Sequence, residues 1–220
     1  MRFLLGLFVL LLAALNPAAA QKPGEVLPPW SPGELDIHHI NTGKGDCIYF
    51  IFPDGTTMLA DAGSSARKER VTPPRPDGSR RPGEWIARYI RHVAPAGSAP
   101  QLDYALPTHF HEDHMGAVSD DLPMSKSGDY RLSGLTEVAE YIPIRKLLDR
   151  GWPDYNWPSP LHNRMVDNYR AFLQSQSRKS GMTVERFQPG RNDQIVMVKS
   201  PASYRQFEIR NIVANGEVWT

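Results

Sequence analysis

Short apolar runs bounded by turn residues recur along the chain and read as strands. Leu35 to Asn41 is the first and Cys47 to Phe52 the second, joined by the glycine-rich turn Thr42-Gly43-Lys44-Gly45-Asp46. Pro53-Asp54-Gly55 is a hairpin turn, and Thr57-Met58-Leu59-Ala60 is a third strand ending at Asp61-Ala62-Gly63. The period then changes. Trp85, Ile86, Tyr89, Ile90 and Val93 share one face of a helix, which Pro95 to Pro100 stops. Leu102 to Leu106 is a short apolar strand that runs into Thr108 and a cluster of histidines. A strand, a helix and a strand in this order predict a β-α-β crossover. Functional groups in such folds gather just beyond the carboxyl ends of strands, where both Asp61 and His109 lie.

Farther along, Leu135 to Tyr141 reads as a short helix and Ile144 to Leu148 as a strand. Met165, Tyr169, Phe172 and Leu173 give helical spacing to Met165–Ser175. Thr183 to Phe187, Gln194 to Val198 and Phe207 to Ala214 are strand-like. Asn215-Gly216 is a strong turn signal, after which Glu217-Val218-Trp219-Thr220 starts a further strand.

The two ends of the pattern differ from the middle. Met1-Arg2, the apolar run Phe3 to Leu15, and Ala18-Ala19-Ala20 before Gln21 have the layout of a secretory signal peptide over residues 1–20. The run falls short of the ~20 apolar residues of a membrane span, so export to the periplasm or medium is expected, with no stable membrane insertion after cleavage. Residues 21–34, rich in Pro and Gly, read as a linker. Residues 35–220 then form one domain.

Composition narrows the function little. The chain has 25 basic and 24 acidic side chains; without Arg2 the balance is 24 against 24. Bulk charge therefore argues for neither nucleic acid nor a membrane surface as partner. Cys47 is the only cysteine, which excludes an internal disulfide, and its apolar surroundings suit a small buried hydrophobe. Arg67, Lys68, Arg70, Arg75, Arg80 and Arg81 face only Glu69 and Asp77 in the proline-rich stretch after Gly63. A solvated loop accounts for them; the alternative is a basic cleft border that meets phosphate.

The chemistry concentrates in His109-Phe110-His111-Glu112-Asp113-His114. The chain has seven histidines, and three fall within these six positions. In an extended segment residues two apart point the same way, so His109 and His111 can converge on one metal ion. Asp113 and His114 follow a change of direction and can face a second ion. Imidazole nitrogen and carboxylate oxygen are ligands that zinc accepts. Two ions about 3.5–4 Å apart can share a hydroxide and stabilise an in-line displacement. Gly116 lets the backbone turn after His114, and Glu112 is expected to face solvent.

His-x-His-x-Asp-His after a strand resembles the signature of the metallo-β-lactamase superfamily. Ile40-Asn41-Thr42-Gly43-Lys44-Gly45-Asp46, Pro53-Asp54-Gly55 and Leu59-Ala60-Asp61-Ala62-Gly63 are similar to the hydrolase domain of bacterial competence (DNA-uptake) channel proteins. The likeness is strong over residues 35–63 and 102–117 and weaker over 194–219.

The resemblance implies an α/β fold, a four-layer α/β/β/α sandwich built from two similar halves. It implies two divalent ions, zinc or manganese, with His109 and His111 on the first and Asp113 and His114 on the second. Asp113 would double as the catalytic, water-orienting acid. Asp61 would support the ligands from behind, although a plain turn role before Gly63 explains it equally well. Asp46 would sit in a turn bordering the cleft. The implied activity is attack by a metal-bound hydroxide on a phosphodiester or other small-molecule substrate, with nucleic acid among the phosphodiesters. Lactonase, thioesterase and β-lactamase activities share the scaffold. The family also draws a further His, a bridging Asp and a last His from its second half, and no such motif is legible before Thr220. The domain is accordingly expected to be incomplete at its C-terminus, with further ligands beyond Thr220, and to be a poor catalyst or inactive fragment as it stands. His162, His38, His39 and His92 read as surface or core residues.

Overall fold

The computed structural model describes residues 22–43, 45–64, 76–97 and 99–220. The signal peptide and Arg67, Lys68, Arg70 and Arg75 of the basic loop lie outside them. No helix among the described residues is long and apolar enough to cross a membrane.

Six strands stand side by side in chain order: β1 (Asp36–His39), β2 (Ile48–Ile51), β3 (Thr57–Ala60), β4 (Leu102–Leu106), β5 (Ile144–Asp149) and β6 (Thr183–Arg186). β1, β2 and β3 pair antiparallel; β3 to β6 run parallel. The parallel steps need crossovers, supplied by α1 (Pro82–Val93), by α2 (Glu112–Met115) with α3 (Gly134–Tyr141), and by α4 (Arg164–Ser180). All three advance across the sheet in one direction. Crossovers of one hand then place every helix on the same face.

The register shows which face that is. His38, Tyr49, Leu59, Ala105, Leu147 and Val184 form one row across all six strands. Tyr49, Leu59, Ala105 and Leu147 join one buried core with Ile86 and Ile90 of α1, Leu135 and Val138 of α3, and Val166, Tyr169, Phe172 and Leu173 of α4. Of the face read for α1, Ile86 and Ile90 are fully buried, whereas Trp85, Tyr89 and Val93 lie at its margin. The helix ends follow local chemistry. The side chain of Asn163 accepts from Val166 N, and Gly181 closes α4 in the left-handed conformation.

The next row, Phe50, Met58 and Tyr104, faces the opposite way. It packs with Phe52 and Leu148 against Ile195 and Met197, flanked by Val198, Tyr204, Phe207 and Ile209. Here the structure departs from the expected strands. Gln194–Val198 forms no strand, and only Val213–Ala214 of Phe207–Ala214 does. Side chains of the first sheet take up the backbone hydrogen bonds instead. Tyr104 Oη donates to Val196 O, Val198 N donates to Thr56 Oγ1, and Lys199 N and Ser200 N both donate to Asp54. Alternation survives, with Ile195 and Met197 inward and Val196 exposed. β7 (Val213–Ala214) and β8 (Glu217–Val218) make a separate hairpin turned by Asn215-Gly216, both at positive φ.

The mixed six-stranded sheet flanked by helices agrees with the coarser expectation, an α/β fold. Residues 22–34 have no strand or helix, yet they are tied to the domain by Gly33 N, which donates to Pro53 O, and by Trp30, which packs against the core. Cys47 is buried, and burial pushes its thiol up, away from nucleophilic chemistry.

Candidate metal centre

The centre sits beyond the carboxyl ends of β3 and β4. Asp61 N bonds Leu106 O, which carries the register past both strand ends. Asp61 then adopts φ 58°, a left-handed conformation, and turns its carboxylate under the histidine segment. Oδ1 accepts from Thr108 N at 2.7 Å, and Oδ2 accepts from Thr108 Oγ1 at 2.7 Å. Oδ2 also lies 2.8 Å from His114 Nδ1. Asp61 is 4% exposed, so these contacts occupy a carboxylate shielded from water.

This arrangement favours one tautomer of His114 and one of His109. A carboxylate only accepts, so His114 Nδ1 carries the proton and Nε2 keeps its lone pair. Thr108 Oγ1 gives its hydrogen to Asp61 and can accept from His109 Nδ1 at 3.2 Å. His109 Nε2 is then unprotonated, and it lies 3.0 Å from His111 Nδ1. Burial, then the neighbouring His114 and His111, lower the His109 pKa and favour the neutral ring that a metal requires.

Ligand atoms of His109, His111 and Asp113 lie within 4.8 Å of one another, as do those of Asp46, Asp61 and His114. Asp113 also stands between the groups, with Oδ2 3.8 Å from His114 Nε2. It therefore shares a group with His109 and His111 while remaining next to His114, the partner expected for it. The donor set suits zinc. Ligand atoms about 2.0–2.1 Å from a tetrahedral ion stand roughly 3.3 Å apart, close to the His109–His111 separation. Both oxygens of Asp61 are already engaged, by Thr108 and His114. Asp46 has a mostly exposed side chain, 3.7 Å from His114 Nδ1.

Two glycines explain how the loops come together. Asp46 N donates to Asp113 O, Gly63 N to Asp46 O, and Ala62 N to His114 O. The backbones are so close that a Cβ on Gly45 would lie 2.1 Å from Asp113 O, and one on Gly63 only 1.7 Å. Gly45 and Gly63 thus permit an approach that side chains would block, a stronger role than the turn expected of Gly45. Gly116, at φ 91°, ends α2 after one turn.

The remaining histidines stand apart. His38 packs inward with Nδ1 3.0 Å from Tyr89 Oη, while His39, His92 and His162 are exposed. Glu112 is exposed as expected. Sequence reasoning missed Thr108, the link between Asp61 and His109, and also missed the support beneath Phe110. That support is Asp149, which accepts from Gly151 N, Trp152 N, Tyr155 Oη and Tyr169 Oη at 2.7–2.8 Å. The Tyr155 and Tyr169 rings pack against Phe110 at 5.5 and 6.0 Å. Asp149 ends β5 as Asp61 follows β3, and an acid at the end of an apolar run was the available signal.

No protein-family model matches the chain. No curated protein matches it either.

Proposed function

We propose that this chain carries the metal-binding centre of an exported metal-dependent hydrolase acting on phosphodiester-type bonds. The observation that carries the reading is the pair of imidazole nitrogens 3.0 Å apart, with Asp113 completing a three-donor group beyond the parallel strands. His109, His111, Asp113 and His114 would hold divalent zinc or manganese. When bound, such an ion supplies Lewis acidity toward a phosphoryl or carbonyl oxygen and makes a water molecule more acidic. The chain's own contribution is orientation. Asp61 and Thr108 fix the imidazoles, and Asp113 aligns the attacking water and receives its proton. The similarity of residues 35–63 and 102–117 to competence-protein hydrolase domains supports both the sandwich-type fold and the phosphodiester preference.

A second reading is favoured by the exposed apolar side chains Ile212, Val213, Val218 and Trp219. They suit a half-centre that binds metal and turns over substrate only when further structure covers this strip.

Zinc content and hydrolysis of bis(p-nitrophenyl) phosphate, with zinc or manganese added, separate the two. Bound zinc with turnover lost in Asp113→Asn supports the hydrolase, and bound zinc without turnover supports the half-centre. A protein that binds no zinc contradicts both.

A further inference from the structure

Arg150 follows the last residue of β5 at the same sheet end as the histidines. Its guanidinium carbon lies 4.8 Å from the Phe110 ring centre and 5.7 Å from that of Trp157. Phe110 lies between His109 and His111 in sequence, and its ring is turned into the core against Tyr155 and Tyr169, so this cation stacks on the buried side of the histidine segment. Nη1 donates to Trp157 O at 3.2 Å and to Asn215 Oδ1 at 3.1 Å. Asn215 Nδ2 returns a bond to Arg150 O at 2.7 Å, which ties the β7–β8 turn to the end of β5.

What the fork lacks is an anion. Arg164, Arg186, Arg191 and Arg210 each pair with a carboxylate; Arg91, Arg145, Arg178 and Arg205 form no salt bridge among the described residues but are exposed, and the half-buried Arg170 rests on the Tyr155 ring. Among the described residues Arg150 forms no salt bridge, and its Nε and Nη2 make no hydrogen bond. The adjacent Asp149 is turned inward, its oxygens taken by two backbone amides and two tyrosines. A half-buried guanidinium held by two rings and two uncharged oxygens keeps its charge and loses much of its hydration. Phosphate oxygens match the geometry of such a fork.

We propose that Arg150 binds the anionic phosphoryl group of the substrate, with Nη1 locked to Asn215 and the Nε–Nη2 edge left for the ligand. The placement of that substrate rests on the hydrolase reading. Asn215 is then a positioning residue for Arg150.

The test is calorimetric titration of inorganic phosphate into the zinc-supplemented protein, with zinc content measured on the same samples. Arg150→Met should weaken phosphate binding at least ~10-fold, and Arg150→Lys, which keeps the charge without the fork, by less. In the wild-type protein, phosphate should also slow phenylglyoxal labelling of Arg150, mapped by mass spectrometry, where equal chloride does not. That arm decides the matter if the Met variant fails to fold. Equal phosphate affinity in a folded Arg150→Met variant, absence of phosphate binding by the wild type, or labelling indifferent to phosphate would overturn the assignment. Those outcomes with zinc still bound leave the metal reading standing, whereas absent zinc defeats that reading and leaves Arg150 to the labelling result.

Discussion

Asp61 and His114 are 53 positions apart in sequence, yet Asp61 Oδ2 lies 2.8 Å from His114 Nδ1. The contact joins the residue after β3 to α2, and it leaves Nε2 as the nitrogen of His114 with a free lone pair. Asp61→Asn tests it cleanly, because Asn also tolerates the left-handed backbone at this position. The variant should fold, and its zinc affinity should fall by roughly 10- to 100-fold, as for other partners of metal-bound histidines. Unchanged affinity in a zinc titration would reduce Asp61 to a turn residue.

Gly63→Ala should cost about 1–3 kcal/mol, the usual range for forced overpacking. The added carbon would sit 1.7 Å from Asp113 O, a backbone atom of the histidine-rich turn. Urea unfolding reads the stability, and the same variant should bind zinc more weakly. A variant as stable as the wild type would mean that the loops are farther apart than described.

The first sheet was largely legible from the sequence. Thr57–Ala60 and Leu102–Leu106 are short apolar runs with sharp turn residues on either side, and both form as read. α4 runs to Ser180, past the apolar spacing that ended its reading at Ser175, because its last turn is polar and capped by Gly181. The Gln194–Val198 reading failed for a different reason. Alternation reports which side chains are buried, and Ile195 and Met197 are, but it cannot report whether backbone partners come from a strand or from Tyr104, Thr56 and Asp54. In the candidate site, the histidine spacing was visible locally. The link through Thr108 and the Asp149 support join residues distant in sequence, and a single sequence does not reveal such pairs.

Asp149→Asn should destabilise the protein by about 1–3 kcal/mol, since an amide cannot accept all four hydrogen bonds that Asp149 receives. Because Tyr155 and Tyr169 pack on Phe110, loosening them should also weaken zinc binding. Thermal unfolding of metal-free and zinc-loaded protein separates the two effects. A larger loss in the zinc-loaded form is the expected result, and equal losses would confine Asp149 to the core.

His38 gives a pH prediction away from the proposed metal ligands. Burial lowers its pKa below 6.5, and Asp36 only partly offsets this. The unfolded chain therefore binds a proton more readily than the folded one. The stability from the neutral ring is complete above pH 6.5 and is lost as pH falls from there through the folded value. His38→Gln should flatten this part of the stability profile of the metal-free protein. An identical slope in both proteins would assign it to other groups.

Convergence of His109 and His111 on a divalent ion is open to a direct test. The measurement is zinc titration of the metal-free protein, wild type beside His111→Ala. Saturable zinc binding by the wild type, with most of it lost in a folded His111→Ala variant, is the predicted result. Zinc binding of equal strength and stoichiometry in both proteins, or none in the wild type, would contradict it.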